Sequence, residues 1–349
     1  MFDRSSISRV AAALVAALGL AACASAPRPP APSAQAAPVP VAVDQPAAPA
    51  AVAPAPPSAA EQRARERGWA YLVDRLAADG LPRERVARAF ADPRVPAFDG
   101  LFFSPRPRES RAQYRGYLTR RSVDGAERCA AANADALEAA ERATGVSASV
   151  VAAILHVESH CGTNTGKALV LHRLARLAMA NEPQNMARNL ARWSGPSGQI
   201  DAALAEALRE RGRYLEDVFY PEVRATFEAA DRMAIDPLEI RGSSAGAFGL
   251  PQFLPGSFVA FGSDGDGDGR VSLYDPADAA ASCARFLASH GWKPGLTRGQ
   301  QRQVIWHYNR SDAYIDTVLA LAERIRRGGV LRVSVATTTT AAFSATRHP

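Results

Sequence analysis

The stretch Ser149-Val150-Val151-Ala152-Ala153-Ile154-Leu155-His156-Val157-Glu158 decides how this chain is read. Val151, Ile154, Leu155 and Glu158 fall at i, i+3, i+4 and i+7, so they share one helix face, and its fourth member is a carboxylic acid. Burial disfavours a carboxylate, and so does the negative end of a helix. Both raise its pKa toward the range a general acid needs near neutral pH. The competing reading is a solvated Glu at a fraying helix end, or one paired with His156 or His160.

Outward from this stretch the pattern stays helical. Apolar spacing and end signals predict helices over 61–79, 83–90, 124–144, 149–158, 169–180, 201–210, 220–235, 276–290 and 312–326. Strand signals are confined to 270–273 and 331–336, while 101–108 reads as loop and 194–198 as a linker or insertion. The expected class is mainly α, formally α+β: one helical domain over 61–330 with a small strand element, then a poorly ordered tail over 331–349.

Composition limits the alternatives. The 349 residues carry 41 Lys or Arg against 35 Asp or Glu, a net charge of +6, and 47% are hydrophobic, enough for a sizeable core. No apolar run reaches the roughly 20 residues of a spanning helix, which excludes a polytopic membrane protein. The basic residues are dispersed, so no nucleic-acid arm is expected.

Arg4 and Arg9 precede an apolar run over 10–20 that ends in Leu20-Ala21-Ala22-Cys23. That is a signal-peptide pattern over 1–22 with a lipobox, which predicts lipidation of Cys23; the alternative is ordinary cleavage with Cys23 incidental. Residues 24–57 hold eleven of the 25 prolines and only Arg28 and Asp44 as charges. Residues 23–60 therefore read as a semi-rigid polyproline spacer, able to hold a domain on the order of 100 Å from its anchor. Ala24 after the Cys, rather than Asp, favours an outer-membrane anchor facing the periplasm. Lipidation would leave Cys129, Cys161 and Cys283, an odd number in an oxidising compartment. A Cys129–Cys161 bridge would clamp one helix onto the end of the next; three buried free thiols remain the alternative.

Three further segments carry chemistry. The block Gly242-Ser243-Ser244-Ala245-Gly246-Ala247-Phe248-Gly249-Leu250-Pro251-Gln252-Phe253-Leu254-Pro255 is too rich in small residues for a helix and too apolar for a solvated loop. Its Ser243 and Gln252 are neutral groups suited to sugar hydroxyls and N-acetyl amides, unless the block is only a structural turn. Trp306, Tyr308, Asn309 and Tyr314 offer stackable rings and an amide, or else ordinary packing at a helix start. Residues 264–275 match an EF-hand loop: Asp264, Asp266 and Asp268 at positions 1, 3 and 5, Gly269 at 6, the Arg270 carbonyl at 7 and Val271 at 8. Three carboxylates this close repel one another unless a hard cation lies between them, so a structural Ca2+ is expected. Asp275 occupies position 12, but Asp275-Pro276 also reads as the cap and first residue of the next helix.

Glu158-Ser159-x-x-Gly162, the 242–255 block and Tyr308-Asn309-Arg310-Ser311-Asp312-Ala313-Tyr314 occur in that order. Together they resemble the lysozyme-like membrane-bound lytic transglycosylase B family of peptidoglycan-cleaving enzymes, over about 61–326. The resemblance implies that Glu158 is the single acid/base and that Ser243, Gln252, Tyr308, Asn309, Tyr314 and the upstream Tyr114 line a glycan groove. It points to Asp278 as the ligand closing the metal site, with Asp275 the alternate. It implies peptidoglycan strands as partner and cleavage of the N-acetylmuramic acid–N-acetylglucosamine β-1,4 bond, with closure of a 1,6-anhydro ring. A hydrolytic muramidase and a non-catalytic glycan-binding lipoprotein are the rival functions. Cys161 departs from the aromatic or other bulky residue usual in the family, and 182–218 looks longer and differently composed.

Overall fold

The computed structural model describes residues 56–106, 111–195, 198–329 and 331. The expected signal peptide, Cys23, the spacer up to residue 55 and the tail beyond 331 lie outside the described residues, as does nearly all of the strand expected over 331–336.

The chain is mostly helical. It opens with α1 (Ala59–Glu66), α2 (Ala70–Ala78) and α3 (Arg83–Ala91). A capping box starts α1: Glu61 N donates to Ser58 Oγ at 3.2 Å, and Ser58 N donates to the Glu61 carboxylate at 2.7 Å. The single helix expected over 61–79 is broken at Gly68, whose φ of 80° no continuing helix accepts. The break lets Trp69 turn inward against Phe90 and Phe98, where it is fully buried and its indole N–H reaches Pro96 O at 3.2 Å.

A 3-10 segment (Arg111–Leu118) leads into α4 (Arg120–Ala132) and α5 (Ala134–Thr144). These replace the one helix expected over 124–144. Asn133 divides them: its side chain donates to Cys129 O at 2.9 Å, competing with helical continuation. Gly145 ends α5 in the left-handed conformation. Then comes α6 (Ala148–Ser159), the centre of the molecule, with α4, α5, α11 (Pro276–Ser289) and α13 (Asp312–Arg327) packed around it. Every residue of α6 except Glu158 is buried.

The second half holds α7 (Val170–Ala178), α8 (Pro183–Trp193), α9 (Ala202–Met233), α10 (Pro255–Phe261) and α12 (Arg298–Tyr308). The helices expected over 201–210 and 220–235 are one continuous α9, running through Pro221. Its buried Phe219, Tyr220, Val223 and Phe227 belong to the core, and α7 and α10 pack along it, which outweighs the hydrogen bond lost at Pro221. Among the described residues the sheet consists of β1 (Ala168–Leu169) and β2 (Arg241–Gly242), antiparallel, with Ala168 opposite Gly242. Residues 270–273, expected as a strand, are irregular. The apolar signal there comes from Leu273, a fully buried anchor whose carbonyl accepts Leu250 N at 2.8 Å. Cys129 and Cys161 form a disulfide, Cα atoms 6.1 Å apart, and Cys283 is a buried free thiol. No helix among the described residues is long and apolar enough to cross a membrane.

The β1–β2 contact seats the 242–255 segment beside the end of α6, and it depends on close backbone approach. Gly166 has φ +88°, and a Cβ there would lie 2.1 Å from Gly242 O. Gly166→Ala is therefore expected to destabilise the protein by about 2 kcal/mol or more. Gly299→Ala, on α12 with nothing within 4 Å, serves as the neutral or mildly stabilising control. Urea unfolding checks both, and equal midpoints would contradict the packing argument.

Candidate active site

The end of α6 is fastened from two sides. His160 and Cys161 have φ of 48° and 56°, so two non-glycine residues in succession stop the helix in the left-handed region. The disulfide holds Cys161 to α4. Ser159 Oγ donates to Leu250 O at 2.8 Å and accepts Gly162 N at 2.9 Å, tying the same turn to the 242–255 segment. Glu158 lies within this clamp.

Glu158 is half-buried and accepts one hydrogen bond, at 2.7 Å, from the Tyr314 hydroxyl to Oε1. Loss of water around it pushes its pKa up to about 7, against a smaller lowering from the Tyr314 bond. Tyr314 is fully buried, edge-on to Tyr114 at 5.9 Å and parallel to Tyr308 at 6.4 Å. The Tyr308 hydroxyl donates to Pro251 O at 2.5 Å. Burial, reinforced by the charge of Glu158, holds both phenols well above their ordinary pKa, so they remain donors at any physiological pH. Glu158, Tyr114, Tyr308 and Tyr314 thus come together as a carboxyl group in an aromatic wall.

The other residues singled out in the sequence take different places. Ser243 closes a turn with Ala247, its N–H donating to Ala247 O at 2.7 Å and its Oγ accepting Ala247 N at 3.2 Å. Gln252, left-handed at φ 50°, donates to Gly249 O at 2.8 Å and to Thr165 O at 3.1 Å, joining the block to the loop after α6. Asn309 accepts Ser311 N at 3.1 Å between α12 and α13. Among the described residues none of these three is hydrogen-bonded to Glu158. Trp306 and Tyr308 stand at the end of α12 rather than at a helix start; Trp306 is exposed beneath the Arg310 guanidinium at 4.5 Å.

Tyr117 was not anticipated. It stacks on His160 at 5.5 Å, and burial followed by the nearby Glu158 charge raises its phenol to about 12. Its sequence signal was the three-residue spacing from Tyr114, which places both rings on one side of a 3-10 turn.

The acidic loop stands apart from this wall. Carboxylate oxygens of Asp264, Asp266 and Asp268 all lie within 4.8 Å of one another, and the three residues are exposed. Asp264 also accepts Gly267 N and Gly269 N, at 2.6 and 2.8 Å, which curls the loop around the cluster. Asp278, buried, spans the loop by accepting Gly265 N at 2.7 Å and Ser272 N at 2.6 Å. Asp275 caps α11, accepting Ala277 N at 2.7 Å. The donor set is all oxygen, which fits a hard divalent cation and not zinc or copper.

The raised pKa of Glu158 carries a sign for stability. The fold favours its protonated form, so this contribution is complete below about pH 4.5, the ordinary value, and is lost as pH rises through about 7. Relative to Glu158→Gln, the wild type should lose on the order of 3 kcal/mol between pH 4 and pH 8. A pH-independent difference in denaturation midpoint would refute the buried-acid geometry. Tyr314→Phe removes a bond that favours the anion, so the transition should move further upward in that variant.

Comparison with known proteins gives a consistent result. The transglycosylase SLT domain family matches residues 64–303. The membrane-bound lytic murein transglycosylase B of Escherichia coli (strain K12) is 32% identical over 161 residues; these make up 46% of this chain and 36% of that protein. Among solved structures, the soluble lytic transglycosylase SltB1 of Pseudomonas aeruginosa superimposes with a TM-score of 0.56 at 23% identity, covering 77% of this chain and 99% of that one. The Escherichia coli lytic transglycosylase Slt35 in complex with calcium gives 0.54 at 20% identity, covering 77% and 94%. The helical fold around α6 is therefore shared with lytic transglycosylases, and the chain belongs to the transglycosylase SLT domain family.

Proposed function

We propose that this protein is a peptidoglycan lytic transglycosylase acting on the β-1,4 bond between N-acetylmuramic acid and N-acetylglucosamine. The observation that carries the reading is Glu158: one desolvated carboxyl group, titrating near 7, at the edge of an aromatic wall. At neutral pH a large fraction is protonated and able to give its proton to the glycosidic oxygen. Cleavage leaves positive charge at C1, which the substrate's own N-acetyl carbonyl is positioned by chemistry to share. Glu158, now a carboxylate, takes the proton from the muramyl O6 hydroxyl as that oxygen attacks C1 and closes the anhydro ring. The Tyr314 bond steadies the carboxylate during this interval.

Retaining and inverting glycosidases ordinarily use two carboxylates. In this reading Glu158, hydrogen-bonded to the Tyr314 hydroxyl, serves as the single acid/base, and ring closure by the substrate replaces attack by water. Ser243, Gln252 and Asn309 shape the groove in this reading by fixing its loops, with their remaining polar atoms available to sugar.

We also propose that Asp264, Asp266 and Asp268, the Arg270 carbonyl and Asp278 hold a structural Ca2+, while Asp275 stays committed to its cap. The ion would pin the loop that follows α10 against the start of α11. At the other end of the chain, Cys23 would carry the lipid anchor to the outer membrane, residues 23–60 would be the spacer and 61–330 the catalytic domain in the periplasm.

Mass spectrometry of fragments released from purified sacculi tests the reaction. The wild type should yield 1,6-anhydro products, and Glu158→Gln should lower turnover by roughly 10²–10⁴-fold with the fold intact. Products heavier by one water would identify a hydrolase, and undiminished turnover in the variant would remove Glu158 from the chemistry. For the metal, a chelator should lower the melting temperature and added Ca2+ restore it; an unchanged melting temperature would count against the ion.

A further inference from the structure

The turn after α6 ends the helix in a conformation that its own residues disfavour. His160 N donates to His156 O at 2.9 Å and Cys161 N to Leu155 O at 3.0 Å, a closure whose left-handed place usually belongs to glycine. Here two residues with side chains hold it in succession, at φ 48° and 56°. Stacking on Tyr117 at 5.5 Å steadies His160, while Cys161 is held by its bond to Cys129. The next residue passes the position on. A Cβ on Gly162 would lie 3.1 Å from Leu250 Cγ, and Gly162 N donates to Ser159 Oγ, which donates in turn to Leu250 O. The bridge therefore fixes the contact between the 242–255 segment and the turn that carries Glu158.

That bond is also the chemically reversible member of the clamp. Cys161 is half-buried and Cys129 buried, so an incoming thiolate meets the Cys161 sulfur first. Cys129 Sγ, the sulfur that leaves, has the Asn133 amide nitrogen 3.9 Å away as a donor. The third thiol, Cys283, is sealed in the core, where burial raises its pKa and withholds the thiolate that exchange needs. We infer that the Cys129–Cys161 bridge is a redox control on Glu158: opened by a dithiol it frees the left-handed turn, and closed again it restores the fixed acid. The inference rests on the proposed function for the role of Glu158. One thiolate of the dithiol attacks Cys161 Sγ and displaces Cys129 as thiolate, which takes up a proton. The second thiolate attacks the mixed disulfide and releases Cys161, which is protonated in turn. Two electrons and two protons pass to the protein, and the reductant leaves as its disulfide.

Once Cys161 is free, nothing covalent opposes its return to an ordinary backbone. The Ser159–Leu250 bond then loses its support and water reaches the Glu158 carboxyl group. The titratable groups that feel the Glu158 charge are Tyr314 from α13, Tyr308 from the end of α12, Tyr117 from the 3-10 segment and Cys283 from α11. His156 and His160 flank it on α6, where α4 contributes Ser122, bonded to His156 at 3.0 Å. Glu141 of α5 binds the far end of α6 at Ala148 N. Desolvation is the largest influence on Glu158, so hydration is what opening the bridge changes.

Turnover of purified sacculi by the full chain is measured from pH 5 to pH 8, oxidised and after reduction with dithiothreitol, a thiol count confirming each state. Hydration lowers the pKa of Glu158, so less of it is protonated at neutral pH. For a shift of about one unit, turnover should fall roughly fivefold at pH 7 and stay nearly unchanged at pH 5. Reoxidation should restore it, and Cys129→Ser should behave as the permanently open form. Cys129→Ser combined with Cys161→Gly should recover part of the loss and ignore dithiothreitol, because glycine holds the left-handed turn unaided. Equal turnover in the two redox states would overturn the control, and so would an equal loss at pH 5 and pH 7, the mark of general loosening. If the oxidised wild type releases no fragment, the proposed function fails. The carboxyl titration of Glu158 in the two redox states still decides the bridge: a midpoint that falls on reduction supports it, and an unchanged midpoint overturns it.

Discussion

A carboxylic acid taken out of water is the constraint around which this fold is arranged. In α6 every neighbour of Glu158 along the helix is buried, which sets this half-buried acid at the boundary of the core. Desolvation is the larger influence on it and favours the neutral acid. Tyr314 moderates that effect by offering one hydrogen bond, which favours the anion when it forms. The balance of the two leaves a group near its midpoint at neutral pH, able both to give up and to regain a proton. A second acid is unnecessary to such a group, provided the substrate brings its own nucleophile.

Holding that balance requires the end of α6 to stay fixed, and the molecule commits unusual backbone to it. His160 and Cys161 are both left-handed, a conformation that costs about 1–3 kcal/mol at each residue and persists only when the surroundings impose it. The disulfide to Cys129 and the Ser159 bond to Leu250 are those surroundings. The bond from Gln252 to Thr165 adds a third tie on the far side of the same loop. At Cys161 a covalent bridge to α4 does the bracing. The consequence is a dependence on oxidising conditions.

Much of this was legible in the residues. The helical class, the buried acid and the loop of alternating Asp and Gly all follow from spacing and charge, because burial period and carboxylate repulsion act locally. The boundaries were less legible where a single residue competes with its helix: Gly68 splits one expected helix and Asn133 another. Fusion across Pro221 into α9 was hidden for the opposite reason, since the packing that overrides the proline comes from α7 and α10, distant in sequence. Ser243 and Gln252 are hydrogen-bonded to backbone, and which turn each closes is visible only in the fold. Tyr117 escaped notice because its importance arises from stacking on His160 and proximity to Glu158, neither of which leaves a pattern in the chain.

The claim on which the whole account stands is the ionisation of one side chain, and it can be observed directly. Carbon-13 NMR of protein labelled at the Glu side-chain carboxyl, assigned by comparison with Glu158→Gln, follows that group alone as pH is changed. The account predicts a midpoint near 7 for Glu158 in the free protein. A midpoint near 4.5, the ordinary value, would mean that water reaches the carboxyl group freely and would contradict it.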